Sequence, residues 1–534
     1  MADKWPLANG NWSSAANWND GTKPVAGDDV YADGKTVTID EDVTVGSIRN
    51  TQRTGGTVGG SFTIGGGRTV TANVGGFVAG SGSSTINTNG NSLTTLNGNL
   101  VGSTIAGVAV LYHTGTGPLI VNGNVSAGSV ASASGISYAS SATITINGNV
   151  TGGTAGNTFG FGKSGTETPT VNINGNVTAG TGGGAGTAHG VYSNNGLITI
   201  NIIGNVLGVS TTAGITWANT AIVSVTGSVT GSASGSGKGI NSGGNGSTIS
   251  VTGDVTGNLG TGIDVQSLTY LTVTGNLYGA STNSIAAIAF NNGSSTITIN
   301  GNITGGNNSS GYGLWAQGAV AFTINGNVTG GTAGVAINNT SGAPVTINGN
   351  AVGGVGANGL TSSGSGEIYA YKAVGNDYGS GSSGLGATVG IYHTGAGKAR
   401  CKYFQCGSRG MWPVFGPVLL DLQTNSSIET RTYSLQSLFI FTNPANTSGL
   451  LPAVTDVRSG VSYNVGNNIG TCAVPSPVNV TSGVAVGNTV GSALLTEQTI
   501  RSAMGLSSPN LDTKFNALSS QINTLLSNSP TEAF

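Results

Sequence analysis

Ile144-Thr-Ile-Asn-Gly-Asn-Val-Thr-Gly-Gly153 is a phrase that much of the chain repeats. It returns as VNINGNVTAG at Val171–Gly180, ITINGNITGG at Ile297–Gly306 and FTINGNVTGG at Phe322–Gly331. Degenerate copies surround Gly123, Gly204, Gly227, Gly253, Gly275 and Gly349. The central glycines run from Gly98 to Gly375 at a mean spacing of about 25 residues, with no interval below 22 or above 29. A fixed period in this range marks a stacked repeat architecture.

Within one copy, Ile297 and Ile299 alternate with threonine, so one face of a short strand is apolar. Asn300-Gly301-Asn302 then turns the chain, an expectation resting on the tolerance of Gly and Asn for positive φ. Ile303 opens a second short strand, and Gly305-Gly306 turns it again. A third apolar position follows a glycine in most copies: Ile136, Val191, Ile215, Ile263, Leu314 and Val335. Three short strands per coil describe an all-β chain, a right-handed parallel β-helix whose strands pair one coil away at about 4.8 Å. Isoleucines stack inside and asparagines stack at the corner, where an amide ladder satisfies buried groups. Val37–Val45 and Phe62–Ile64 are the first recognisable copies, so the β-helix is expected over 35–397. About 14 coils would measure on the order of 65 Å.

The composition narrows the function. Of 534 residues 95 are glycine, 7% are charged, and the net charge is −2. Glycine has no three-residue period, which excludes collagen, and the ordered alternation of valine and isoleucine excludes a disordered chain. A near-zero charge argues against nucleic acid or an anionic membrane as partner. The opening Met1-Ala-Asp-Lys-Trp-Pro has neither a charged n-region nor an apolar run, so no secretory signal is expected. No apolar stretch of about 20 residues exists to insert in a bilayer. Cys401, Cys406 and Cys472 make no disulfide framework, and without companion ligands the first two are a poor zinc signal.

Residues 1–34 form a separate segment, with Trp5, Trp12 and Trp18 making up half of the tryptophans. The run Asn11-Trp-Ser-Ser-Ala-Ala-Asn-Trp18-Asn-Asp-Gly-Thr-Lys-Pro24, followed by Gly27-Asp28-Asp29, resembles the start of β-helical surface and phage structural proteins. That resemblance implies an aromatic cap or attachment segment, and an open stack does need an apolar lid. Asp28, Asp29, Asp33, Asp40, Glu41 and Asp42 form an acidic patch, readable as solvated turn carboxylates or as calcium ligands. Solvated turns are the simpler reading, and no metal or other cofactor is expected.

Residues 398–493 read as a small antiparallel β domain, with Val414–Leu422 and Leu438–Thr442 as strand candidates. Lys398, Arg400, Lys402 and Arg409 make a small basic cluster beside Tyr403 and Phe404. Asp456–Tyr463, Gly470–Pro477 and Gly483–Gly491 resemble a segment near the C-termini of phage and prophage structural proteins. Residues 494–534 close the chain with a short helix, Ser508-Pro509 opening it. Leu511, Phe515, Leu518, Ile522 and Leu525 alternate spacings of four and three, an a/d seam of two heptads. The seam reads either as a trimerisation surface or as a helix docked on its own subunit; an uncharged rod that needs a terminal clamp favours the trimer.

Aromatics recur 10 to 12 residues before the motif glycine: Tyr112, Tyr138, Tyr192, Trp217, Phe290 and Trp315. They are expected along one side of the rod, as a stacked internal ladder or as an exposed stripe contacting glycan rings. A glycosidase needs two carboxylates about 5 to 9.5 Å apart. Between Val43 and Gly366 only Glu167, Asp254 and Asp264 are available, and their coil positions keep them apart. His113, His189 and His393 are scattered, and no catalytic motif accompanies them. No enzyme is therefore expected. The resemblances imply a phage virion protein and the seam a homotrimer: a tail fibre or tailspike contacting other virion proteins and host surface polysaccharide. It would assemble in the host cytoplasm, in keeping with the missing signal. A capsid decoration protein or head fibre is the alternative, and a capsule depolymerase with an intersubunit site a further one.

Overall fold

In the coil that carries the quoted phrase, alternation decides which side chains turn inward. Ile144 and Ile146 are buried, while Thr143 is exposed and Thr145 half-buried. The coil comprises the strands Ile136–Tyr138, Thr143–Ile146 and Val150–Thr151. Each stacks in parallel on its equivalent in the next coil: Ile136 on Phe161, Ile144 on Val171, Val150 on Val177. This computed structural model describes residues 2–376 apart from 56–57, 81–84, 105–106, 164, 183–187, 244–245, 266–268, 280–287, 291–294, 307–310 and 317. It also describes 391–393, 399–405, 418–420, 462–463, 468–469, 485–486, 489–490 and 508–527. The chain divides into two units, Met1–Asn443 and Pro444–Phe534.

The first unit is a parallel β-solenoid of about 13 turns, close to the expected 14. At about 4.8 Å per turn the stack is on the order of 60 Å long. First strands of the coils form a 12-stranded and then a four-stranded sheet among the described residues. Second and third strands form one 28-stranded sheet, because in some coils a single long strand such as Thr69–Val78 or Val345–Val355 runs through both. The core is a set of columns. Leu119, Ile144, Val171, Ile200 and Val223 follow one another in register, all at most 1% exposed. Burying each such side chain contributes about 1.5–3 kcal/mol.

The asparagine corner holds two ladders of different construction. Asn122, Asn147 and Asn174 each donate Nδ2–H to Oδ1 of the preceding asparagine, starting at Asn97, at 2.7 Å every time. Asn99, Asn124, Asn149 and Asn176 use Oδ1 to accept the backbone N–H of their equivalents in the next coil, Asn124, Asn149, Asn176 and Asn205, at 2.8–2.9 Å. Both are exposed, not buried as the sequence suggested; they lace the outside of the corner. The glycine between them is fixed by space. A Cβ on Gly123, Gly148 or Gly175 would lie 2.3 Å from the carbonyl oxygen of the motif glycine one coil earlier. Gly204 and Gly253 do have φ near +155°, but Gly148 and Gly175 are not in that region, so close approach is the cause common to all coils.

Residues 1–34 are both cap and first rungs. Asp3–Lys4 pairs with Asp29–Tyr31, and Gly10–Asn11 with Thr36–Ile39, so parallel stacking begins well before residue 35. Trp12 and Trp18 are buried in a T-shaped contact, ring centroids 4.9 Å apart, and the Trp18 indole N–H donates to the Trp12 carbonyl at 3.0 Å. Trp12 also sits 6.3 Å from the Phe62 ring, which closes the core at this end.

Stacking continues past 397. Ala399–Gln405 pairs in parallel with Ile368–Asn376, and Val418–Leu420 pairs in parallel with Ala399–Gln405. The expected antiparallel strand at Val414–Leu422 is thus a parallel rung over its described part, because its partners are the coils before it. Leu438–Thr442 lies outside the described residues. Antiparallel pairing occurs further on, between Ser462–Tyr463 and Asn468–Ile469 and between Ala485–Val486 and Thr489–Val490. The C-terminal helix runs over Ser508–Ser527.

Candidate functional surfaces of the solenoid

The six recurrent aromatics all lie on first strands, but at two adjacent positions that aim opposite ways. Tyr112, Tyr192 and Trp315 take the middle, outward position of three-residue strands. Tyr112 is 36% and Trp315 38% exposed. Tyr138 and Trp217 take the third, inward position and are buried, so they cannot contact a glycan. Phe290 shares that third position, and its side chain lies outside the described residues. A one-residue offset along a strand reverses the face, and a spacing of 10 to 12 residues mixes the two positions.

The buried members satisfy their polar tips at the next corner. The Tyr138 hydroxyl donates to the Ala142 carbonyl at 2.6 Å, and the Trp217 indole N–H to Ser247 Oγ at 2.9 Å. His113 stacks on Tyr138 at 4.9 Å with Nδ1 2.7 Å from Thr88 Oγ1. Lys163 follows Tyr138 in register, is 1% exposed, and donates Nζ–H to the carbonyls of Gly165 and Asn195. Burial pushes its pKa down from the usual lysine value, with the nearby Glu167 carboxylate opposing.

A second ring stack, beside the first strands, was not foreseen. Phe159, His189 and Tyr192 lie nearly parallel, with centroids 4.3 Å apart for Phe159–Tyr192 and 5.6 Å for His189–Tyr192. Phe159 and His189 each precede the glycine that opens a first strand, Gly160 and Gly190, a recurrence visible in the sequence. Burial holds His189 at a pKa of about 4, well below the ordinary histidine value.

The three mid-chain carboxylates stand in three separate roles. Asp254 replaces an asparagine in the backbone-capping ladder, accepting the Asn276 N–H at 2.8 Å. Asp264 lies on a first strand beside Asn241 in register and forms an ion pair with Lys238. Glu167 sits in the segment before Thr170–Ile173, and its Oε2 is buried with no hydrogen-bond partner among the described residues.

At the N-terminus the acidic patch resolves into individual turn caps. Asp28 accepts from the Ala2 and Val25 N–H groups, each at 3.0 Å, and Asp40 from the Ser13 N–H and hydroxyl at 3.0 and 2.6 Å. Asp42 accepts from Thr69 N–H at 2.9 Å, and Glu41 pairs with Lys23 at 2.6 Å. Asp20 is held at a pKa of about 2, chiefly by its hydrogen bond from Lys4. Among the described residues no group of three or more His, Cys, Asp or Glu could hold a metal. The side chains of the basic cluster around Arg400 and Lys402, and of His393, lie outside the described residues.

Four of the five seam residues on the C-terminal helix are exposed: Phe515 63%, Leu518 52%, Ile522 48% and Leu525 73%. The Leu511 side chain lies outside the described residues. Among the described residues no helix is long and apolar enough to cross a membrane.

The stacked coils and their sparsely charged faces define a β-solenoid protein, a fold that fits tailspike-like and polysaccharide-binding proteins in general. Comparison with known proteins finds no matching family model, no similar curated protein and no similar solved structure.

Proposed function

We infer that the chain is a structural protein of a phage virion, a homotrimeric tail fibre or tailspike that touches the host cell surface and carries no catalytic site. One observation supports this most: a solenoid of about 13 turns holds only five charged residues between Thr69 and Gly366, so it is organised to keep shape and present surface. The terminal sequences resembling virion proteins give the context, and the exposed seam of Phe515, Leu518, Ile522 and Leu525 supplies a surface for a three-chain clamp. Other virion proteins would meet one end, and host polysaccharide the outward faces carrying Tyr112, Tyr192 and Trp315.

Antibody labelling of whole particles tests the placement. Label on the tail is the expected result; label on the head instead supports the decoration-protein or head-fibre reading. Light scattering tests the trimer: a mass near the monomer's 52.3 kDa would rule it out. The depolymerase alternative keeps one observation in its favour, the unpartnered buried Oε2 of Glu167. Release of defined oligosaccharides from host capsule by the purified protein would establish it.

A further inference from the structure

The asparagine ladder is interrupted in the middle of the solenoid, and the outer face changes character at the same coils. The ladder ends at Asn174 and resumes with Asn300, Asn325 and Asn348. Between these runs its place is taken by Ile203, Thr226, Thr252 and Thr274, which follow one another in register. In the same four coils the second strand lengthens from four residues to six: Ile198–Ile203, Ala221–Thr226, Ser247–Thr252 and Thr269–Thr274. The result is a wider sheet without the side-chain amide ladder, while the backbone-capping column still runs through Asn205, Asp254 and Asn276.

Exposed apolar side chains gather on that sheet. Ile203 is 64% exposed, Tyr270 58%, Ile222 44%, Tyr278 40% and Leu207 38%. Ile222 lies on Thr248, which lies on Tyr270, so these two are two coils or about 10 Å apart. Leu207 and Tyr278 share a column of the adjoining third strands, three coils or about 14 Å apart. The remaining outward positions of these strands are mostly threonine and serine, and none is charged. Aliphatic groups this exposed favour a partner that excludes water.

We propose that this face, centred on Ile203, Ile222 and Tyr270, is a contact surface for a second copy of the same chain. The inference rests on the reading of a self-associating rod and names where the rods touch. Charge complementarity selects the partner. The patch has no cation for nucleic acid or an acidic glycan, and its one carboxylate, Asp254, is engaged by the Asn276 N–H at 2.8 Å. An aliphatic surface this poor in charge matches one equally poor. The chain's own coils qualify, since Lys163, Glu167, Lys238, Asp254 and Asp264 are the only charged residues from Thr69 to Gly366. Threonine hydroxyls around the patch supply the adaptable polar rim that an interface core needs.

The test measures self-association of the full chain by sedimentation equilibrium. Two double variants are compared with wild type: Ile203→Asp with Ile222→Asp, and Ile203→Thr with Ile222→Thr. Threonine already occupies the equivalent places at Thr226 and Thr248, so the second pair preserves the coil. The expected result is a dissociation constant raised at least about tenfold by both. A photo-crosslinking residue at Thr252 is expected to join chain to chain, while one at Tyr112 is not. Unchanged association of both variants, or no chain-to-chain product from Thr252, overturns the proposal. So does a different occupant: loss of retardation by dextran or mannan in native gels on Tyr270→Ala, with self-association intact. If wild type itself stays monomeric, the trimer reading falls as well; if wild type associates and the variants do too, only this surface falls and the helical seam carries the assembly.

Discussion

Asn147 and Asn149 stand two residues apart and use the same side chain differently. Asn147 donates Nδ2–H to Asn122 and accepts from Asn174, so it needs both ends of the amide. Asn149 offers Oδ1 to the Asn176 N–H, a role that Asp254 already fills with a carboxylate. Asn147→Asp should therefore cost about 0.5–1.5 kcal/mol, since it sets a carboxylate against the Asn122 oxygen, while Asn149→Asp stays near neutral. Equal losses in urea midpoints for the two variants would refute this assignment. His189 gives the second residue-scale expectation. Its pKa of about 4 in the folded chain lies below the ordinary 6.5, so the unfolded state takes up the proton first as pH falls. The stability tied to neutral His189 is present above about pH 6.5 and is lost towards pH 4, up to about 3 kcal/mol. His189→Phe, which keeps a ring against Tyr192, should make the fall in melting temperature between those pH values shallower.

A single coil is the element of this fold, and most of it can be read from residue order. Alternation in Ile-Thr-Ile gave the buried column, and the 25-residue spacing gave the stacking partner. What the sequence hid was distance between coils. Gly148 looked like a turn glycine, yet its constraint is the Gly123 carbonyl 2.3 Å from where a Cβ would be, and a neighbour one period away leaves no local mark. The aromatic positions were hidden for a related reason. Corner lengths vary between coils, so counting back from the motif glycine cannot tell the outward middle of a strand from its inward third place, and Tyr112 and Tyr138 fall on opposite sides. Three tryptophans in 18 residues marked the first segment as unusual, and two of them, Trp12 and Trp18, are buried against each other there. Trp18→Ala should cost about 3–5 kcal/mol, as removal of a fully buried indole does. A guanidinium midpoint unchanged from wild type would show that the end of the core needs no lid.

For the whole molecule, stability is a sum over neighbouring coils more than over distant contacts. Ion pairs contribute little to it: three are found among the described residues, Lys4–Asp20, Lys23–Glu41 and Lys238–Asp264. The melting temperature should accordingly stay nearly flat from low salt to about 1 M sodium chloride, where surface charges are screened within about 3 Å. A drop of many degrees would mean that charge holds the stack together after all. The ladders also have a direction. At every step described, the donor belongs to the later coil and the acceptor to the earlier one, as from Asn174 to Asn147 to Asn122 to Asn97. Each finished coil thus presents open acceptors to whatever follows it, and the tryptophan lid closes the opposite end. The two ends of the side-chain ladder are therefore unlike: a further turn could be templated on the later one, whereas the earlier end of the stack is covered by indole rings.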